Sequence, residues 1–190
     1  MSLRRETGAP IPTNPAGPIP MAAPAAPTGP ILLGVPLFLQ QQSEWCWAAC
    51  TAMIAAFFNK PTVKQCELAN FLQQQTTCCD NPGSSACNQP CQNQNIMRVY
   101  GHIGIGGHAP DLPLFVDTLA NEIIAGRPVE VGFLWDSGGG HVVLVYGYNF
   151  EGVFAVRDPW RGTLSVTYPA LQTAYGMGEW VVSYGRFTGA

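Results

Sequence analysis

Within a few residues the chain changes from a polar tract to an apolar one, and a cysteine stands at the boundary. Gln40-Gln41-Gln42-Ser43-Glu44 ends at Trp45; Cys46 follows; Trp47-Ala48-Ala49 then opens a run that closes in Phe57-Phe58. A run this apolar belongs in a core, so the remaining elements have to cover it. It reads as a loop feeding a buried helix over residues 44–58, with a thiol in the first turn. Ser43, three residues before Cys46, is a candidate cap. Unpaired N–H groups and the helix dipole favour negative charge at such a terminus, and a thiol there ionises more readily to the thiolate, the nucleophilic form. The plain alternative is one more buried cysteine, a common fate for that residue. The nucleophile reading therefore needs a base elsewhere in the chain.

Residues 1–30 carry prolines at 10, 12, 15, 18, 20, 24, 27 and 30 among alanines and glycines. Such a lead lacks donors and large side chains and is expected to stay extended and solvated. Residues 31–190 are expected to form one domain, long enough for a real core. Arg4-Arg5 is followed by Glu6-Thr7-Gly8-Ala9-Pro10, which is no apolar signal-peptide core. Asn59-Lys60-Pro61 ends the first helix, and Thr62 with Gln65 predicts a capping box that opens a second helix, running to Leu72. Residues 73–95 form a polar, cysteine-rich loop and residues 101–107 a glycine-rich one. A third helix is expected over 111–125, closed by Gly126 and Pro128. Strands are expected over 129–135, 141–148, 153–158, 163–168 and 179–183. Helices followed by strands imply an α+β fold.

Only 11% of residues are charged and the net charge is −3. No basic stripe suits nucleic acid, and no apolar run is long enough to span a bilayer. The cysteine count, seven, is odd. One reactive thiol and three disulfides would use all seven, and disulfides imply an oxidising compartment and therefore export. Metal binding is disfavoured: Cys78, Cys79, Cys87 and Cys91 match no zinc spacing, and adjacent Cys78 and Cys79 suit one tetrahedral site poorly. A stapled loop is the better reading, with Cys50 and Cys66 as candidate partners for two loop cysteines. The pairing itself stays open.

A nucleophilic thiol needs a base, and the base needs an orienting acceptor. Of three histidines, His102 and His108 lie in loop-like sequence. His141 follows Gly138-Gly139-Gly140 and opens the apolar strand Val142-Val143-Leu144-Val145-Tyr146. Asp158 ends the next expected strand. If the two strands form an antiparallel hairpin, the start of one lies beside the end of the other, and imidazole meets carboxylate. Taken singly, His141 reads equally well as a surface histidine, and Asp158 as a turn residue before proline; their joint placement is harder to dismiss.

With these motifs in order, the chain resembles papain-like cysteine peptidases, and among them the compact bacterial branch that includes secreted effector proteases of plant pathogens. Gln40 precedes Cys46 by six residues, Cys46-Trp47-Ala48 resembles the nucleophile motif, and His141 leads an apolar strand with the late glycine Gly147. Asp158-Pro159-Trp160 stands where papain has Asn-Ser-Trp. The resemblance covers about residues 36–184. It implies a helical half with the nucleophile helix packed against an antiparallel sheet half. It also implies a role for each matching residue: Cys46 as nucleophile, His141 as base, Asp158 as orienter, Gln40 as oxyanion donor, Trp47 within the nucleophile motif, and Trp160 as a shield over the His–Asp contact. The partner implied is a protein or peptide substrate, and no cofactor or metal is implied. Asp in place of Asn is a departure that puts a charge on the orienter. Two rival readings are a transglutaminase or glutamine deamidase using the same residues, and an inactive disulfide-rich binding module.

Overall fold

The computed structural model describes residues 29–189; the lead expected over residues 1–30 lies outside them up to residue 28. Five helices are present among the described residues: α1 (Cys46–Phe57), α2 (Gln65–Gln73), α3 (Asn93–His102), α4 (Val116–Ile124) and α5 (Tyr168–Gln172). The strands are β1 (Ile31–Leu32), β2 (Ile105–Asp111), β3 (Val129–Trp135), β4 (Gly140–Tyr148), β5 (Val153–Asp158), β6 (Gly162–Thr167) and β7 (Gly178–Gly189). They form one sheet in the order β2-β7-β3-β4-β5-β6, with β1 added to β4, and every pairing is antiparallel. The α+β class is as expected. None of the described helices is long and apolar enough to cross a membrane.

Strand β4 is the centre of the molecule because it is buried on both faces. Successive strand side chains point to opposite faces. Val142, Leu144 and Tyr146 join one cluster with Met53 and Ile54 of α1, Leu68 of α2 and Val99 of α3. Val143 and Val145 join the other, with Leu119 and Ile123 of α4, Leu171 of α5 and Phe154 and Val156 of β5. Truncating such a residue, Leu144→Ala for instance, typically costs about 2–5 kcal/mol. Helix α1 is buried through its middle from Trp47 to Ala55, so the apolar run that opens it lies inside the protein, as its composition demands.

Several boundaries differ from the sequence reading. Strand β2 and helix α3 occupy segments read as loops, although Ile96, Val99 and Tyr100 are the buried face of a helical repeat; the polar Asn93-Gln94-Asn95 start masked it. The helix expected over 111–125 starts only at Val116. Ser43 does not cap α1: Trp45 is the N-cap, with no side-chain bond. The capping box at Thr62 is also absent, because α2 begins at Gln65. The Gln65 amide is used elsewhere. It donates to Leu39 O at 2.8 Å and accepts from Gln41 N at 2.9 Å, pinning the glutamine tract to α2.

Two disulfides are present, Cys66–Cys79 and Cys78–Cys87. The expectation that all six cysteines besides Cys46 would pair is corrected: Cys50 and Cys91 are thiols. Cys50 lies one turn into α1 on the face packed against β4, with Sγ 3.5 Å from Val142 O. Cys91 lies beyond the stapled region, on the wall of a cleft.

Candidate active site

The cysteine loop works as a clamp on the start of α1. The indole N–H of Trp45 donates to Cys87 O at 2.9 Å, and that of Trp47 donates to Gln89 O at 3.2 Å. Glu44 N donates to Asn88 Oδ1 at 3.0 Å, and Asn88 Nδ2 donates to Ser43 Oγ at 3.0 Å. Cys46, the first residue of α1, is therefore anchored on both sides by a loop that two disulfides hold in shape. Gln40 N donates to Pro159 O at 2.9 Å, which ties the glutamine tract to the segment after β5.

On the sheet, Trp135 N donates to Gly139 O at 3.1 Å and Gly138 N to Trp135 O at 2.9 Å, closing the turn between β3 and β4. Gly138 and Gly139 have φ of 88° and 81°, values that favour glycine. The turn delivers His141 at the mouth of β4, opposite Phe133. In the β4–β5 pairing Leu144 faces Arg157, so Asp158 ends β5 at the same edge, as the hairpin argument expects. A register shift between Val145 and Gly147 accompanies β1, which approaches so closely that a Cβ on Gly147 would lie 2.7 Å from Ile31 O.

The His141 Nε2–Asp158 Oδ1 distance is 2.8 Å, with His141 only 5% and Asp158 0% exposed. Asp158 Oδ1 also accepts from Trp160 N at 2.8 Å and Arg161 N at 3.1 Å. Burial alone would raise the Asp158 carboxyl, but the His141 bond and charge and the two backbone N–H groups hold it below its ordinary value. Burial pulls the His141 imidazole down; the bonds to Asp158 and Cys46, and their negative charges, outweigh it and leave the ring at about 9. With Nε2 on the carboxylate, Nδ1 is the ring nitrogen left for the Cys46 sulfur. Cys46, Trp47, Cys91, Phe133, Gly140 and His141 line one cleft of about 360 Å³. An imidazole between a carboxylate and a thiol can take the thiol proton and later pass it on.

The structure thus brings Cys46, His141 and Asp158 together. It places the other expected residues less uniformly. Trp160 is 68% exposed, its ring 6.2 Å from His141 and edge-on at 72°; its firmest link to the pair is its backbone N–H. Trp135, which the sequence reading missed, lies closer to parallel over His141, at 5.8 Å and 19°. Only its cross-strand position after Phe133 could have signalled it. Gln40 is near the site, but its Nε2 donates to Gln42 O at 2.9 Å and to Ser43 O at 2.7 Å. Both amide hydrogens are spent inside the loop, and the buried Oε1 has no partner. The helix-start amide of Cys46 is the more available donor, since the first N–H groups of a helix have no intrahelical acceptor.

Known structures share the architecture. A C39-like peptidase from Bacillus anthracis covers 82% of this chain and 96% of its own, at 15% identity and a TM-score of 0.55. The peptidase domain of Streptococcus ComA, a bifunctional ABC transporter involved in quorum sensing, covers 82% and 99%, at 16% identity and a TM-score of 0.59. A double-glycine-motif protease from an AMS/PCAT transporter, in complex with its leader peptide, covers 83% and 97%, at 16% identity and a TM-score of 0.50. At these identities the similarity concerns the fold. No curated protein matches the sequence. The family model of the papain-like cysteine protease AvrRpt2 matches residues 31–172, a span that holds the helix-start thiol, the strand-mouth histidine and the aspartate that ends β5, and the chain belongs to that family of papain-like cysteine proteases.

Proposed function

We propose that the protein is an endopeptidase that cleaves peptide bonds through Cys46, His141 and Asp158, with an acyl-enzyme intermediate. The observation that carries this reading is the buried 2.8 Å His141–Asp158 pair facing, across one cleft, the thiol that begins α1. The Cys46 thiolate attacks the peptide carbonyl. His141, held by Asp158, passes its proton to the leaving amine, and the C–N bond breaks to leave a thioester. Water, deprotonated by His141, then releases the acid and restores the thiol. The Cys46 N–H supports the developing oxyanion. Gln40 serves as a second donor once its amide turns away from Ser43 O, and each such donor is worth about 3–4 kcal/mol in the transition state. The substrate is a protein or peptide. The two disulfides support work in an oxidising compartment after export.

The test is a peptide-library digest with wild type and Cys46→Ala. Internal cleavage that disappears in the variant is expected. Cleavage that survives in Cys46→Ala, or wild type that cuts nothing but joins a supplied amine to glutamine, would overturn the reading.

A further inference from the structure

Asp158 is only half accounted for by its known contacts. Its Oδ1 takes three donors, from His141, Trp160 and Arg161, while its Oδ2 is buried with no hydrogen-bond partner. A carboxylate anchored through one oxygen can still turn about its Cβ–Cγ bond, and turning would draw Oδ1 off the imidazole. Among the described residues one other orphan is its complement. The Tyr175 hydroxyl is also buried and makes no hydrogen bond of ordinary geometry, and the Asp158 carboxylate is the hydrogen-bonding group that acts on it.

The Tyr175 ring is positioned by the same residues that hold the pair. It packs edge-on against Phe133, 5.2 Å between centroids at 77°, and Phe133 is the cross-strand neighbour of His141. The Arg161 guanidinium lies 5.3 Å from the Tyr175 ring centre, and the Arg161 N–H is on Asp158. The backbone is unusual here. Ala174, Tyr175 and Gly176 have φ of 46°, 63° and 81°, so two side-chain-bearing residues in succession occupy the left-handed region. Thr173 holds this turn, its Oγ1 accepting from Gly176 N at 3.2 Å. Strain of this kind persists where surrounding structure enforces it, and it collects at functional sites.

We infer that Tyr175 is a positioning residue whose hydroxyl serves the free Oδ2 of Asp158, locking the carboxylate so that Oδ1 stays on His141. This deepens the proposed function and rests on its assignment of His141 and Asp158. The effect on the imidazole has a definite sign. Against burial, the Asp158 bond and charge raise the imidazole, together with those of Cys46. Removing the lock lets the carboxylate turn Oδ1 off the ring, and the imidazole falls. Burial, then the Asp158 charge, push the Tyr175 hydroxyl above its ordinary value, so it remains a proton donor throughout. The ionisable groups around it are Asp158, Arg161 and the buried Cys50, and those around the ring of His141 are Asp158 and Cys46.

Tyr175→Phe in the full chain keeps the ring and removes only the hydroxyl. Proton NMR follows the His141 ring through its titration, with His141→Gln assigning the signal. This readout needs no peptidase activity, so it tests Tyr175 even if the endopeptidase reading fails. Wild type is expected to titrate at about 9 and the variant lower. In cleavage assays kcat should fall about tenfold with KM little changed, the scale of one hydrogen bond to a charged group. The alkaline limb should move down in pH, in the direction expected for Asp158→Asn and by less. A His141 midpoint unchanged or higher in a folded Tyr175→Phe variant would overturn the inference, as would wild-type kcat with an unmoved limb.

Discussion

Asp158→Asn separates the charge of the orienting residue from its hydrogen bonds. Asparagine keeps an oxygen that can accept from His141, Trp160 and Arg161, and removes the negative charge. The structure sets the scale. The pair is 2.8 Å apart and almost fully buried, so solvent screens it little. A hydrogen bond to a charged group and the attraction that goes with it contribute about 1.5–3 kcal/mol. At about 1.4 kcal/mol per pH unit, losing the charge should lower the His141 pKa by about one to two pH units. Wild type is expected to lose kcat/KM on the alkaline side near the His141 value of about 9, because activity needs the imidazolium proton. In Asp158→Asn the limb should fall to about pH 7–8 by the same conversion, with activity retained below it. The assay is kcat/KM for a cleaved peptide across that range. Asp158→Ala, which removes acceptor and charge together, should lose about 10²-fold or more even at its optimum. An unmoved alkaline limb in Asp158→Asn would refute the electrostatic argument. Wild-type kcat/KM in a folded Asp158→Ala variant would reduce Asp158 to a turn residue.

Three further outcomes follow from other parts of the molecule. Glu130 on β3 is fully buried, with one oxygen accepting from the Tyr100 hydroxyl and the other unpartnered; burial, against the lowering effect of that bond, lifts its carboxyl from 4.5 to about 8. A carboxyl raised on folding contributes stability that is complete below its unfolded value and is lost as pH rises through about 8. At about 1.4 kcal/mol per pH unit the loss is on the order of 5 kcal/mol, so urea unfolding at acid and alkaline pH should show a slope that Glu130→Gln flattens; an equal slope in both proteins would reject it. Iodoacetamide on the native protein should label Cys46 before Cys91 or Cys50, whose thiols burial pushes up, and intact mass before and after reduction should report two disulfides; a third bridge, or first labelling at Cys91, would contradict the arrangement. Gln40→Ala should lower kcat by about 10²–10³ if its amide turns to the oxyanion, whereas a variant with wild-type kcat and a lowered Tm would assign Gln40 to holding the loop through Gln42 and Ser43.

The sequence by itself determined the class of fold and the placing of Cys46, His141 and Asp158 at the ends of their elements. Alternation and apolar runs marked β3 to β6 because a strand buried on one or both faces must carry that pattern, and α1 was visible because a run so apolar has to be inside. Cys46 was legible from its place at a polar-to-apolar boundary, and His141 and Asp158 from the hairpin that joins their strands; these are local features, within one element or between neighbours in the chain. Only the tertiary structure decided the rest. Which cysteines pair depends on where α2 and the loop lie relative to α1, and Cys50 faces β4 rather than the loop for a reason no spacing records. Gln65 spends its amide on the glutamine tract that packing brings against α2, and the Gln40 amide donates to two carbonyls of its own loop. Trp135 comes onto His141 across the tight β3–β4 turn, but Tyr175 reaches Phe133 only because β7, far along the chain, pairs with β3. Contacts of that range arise when the sheet assembles, and a one-dimensional pattern carries no trace of them.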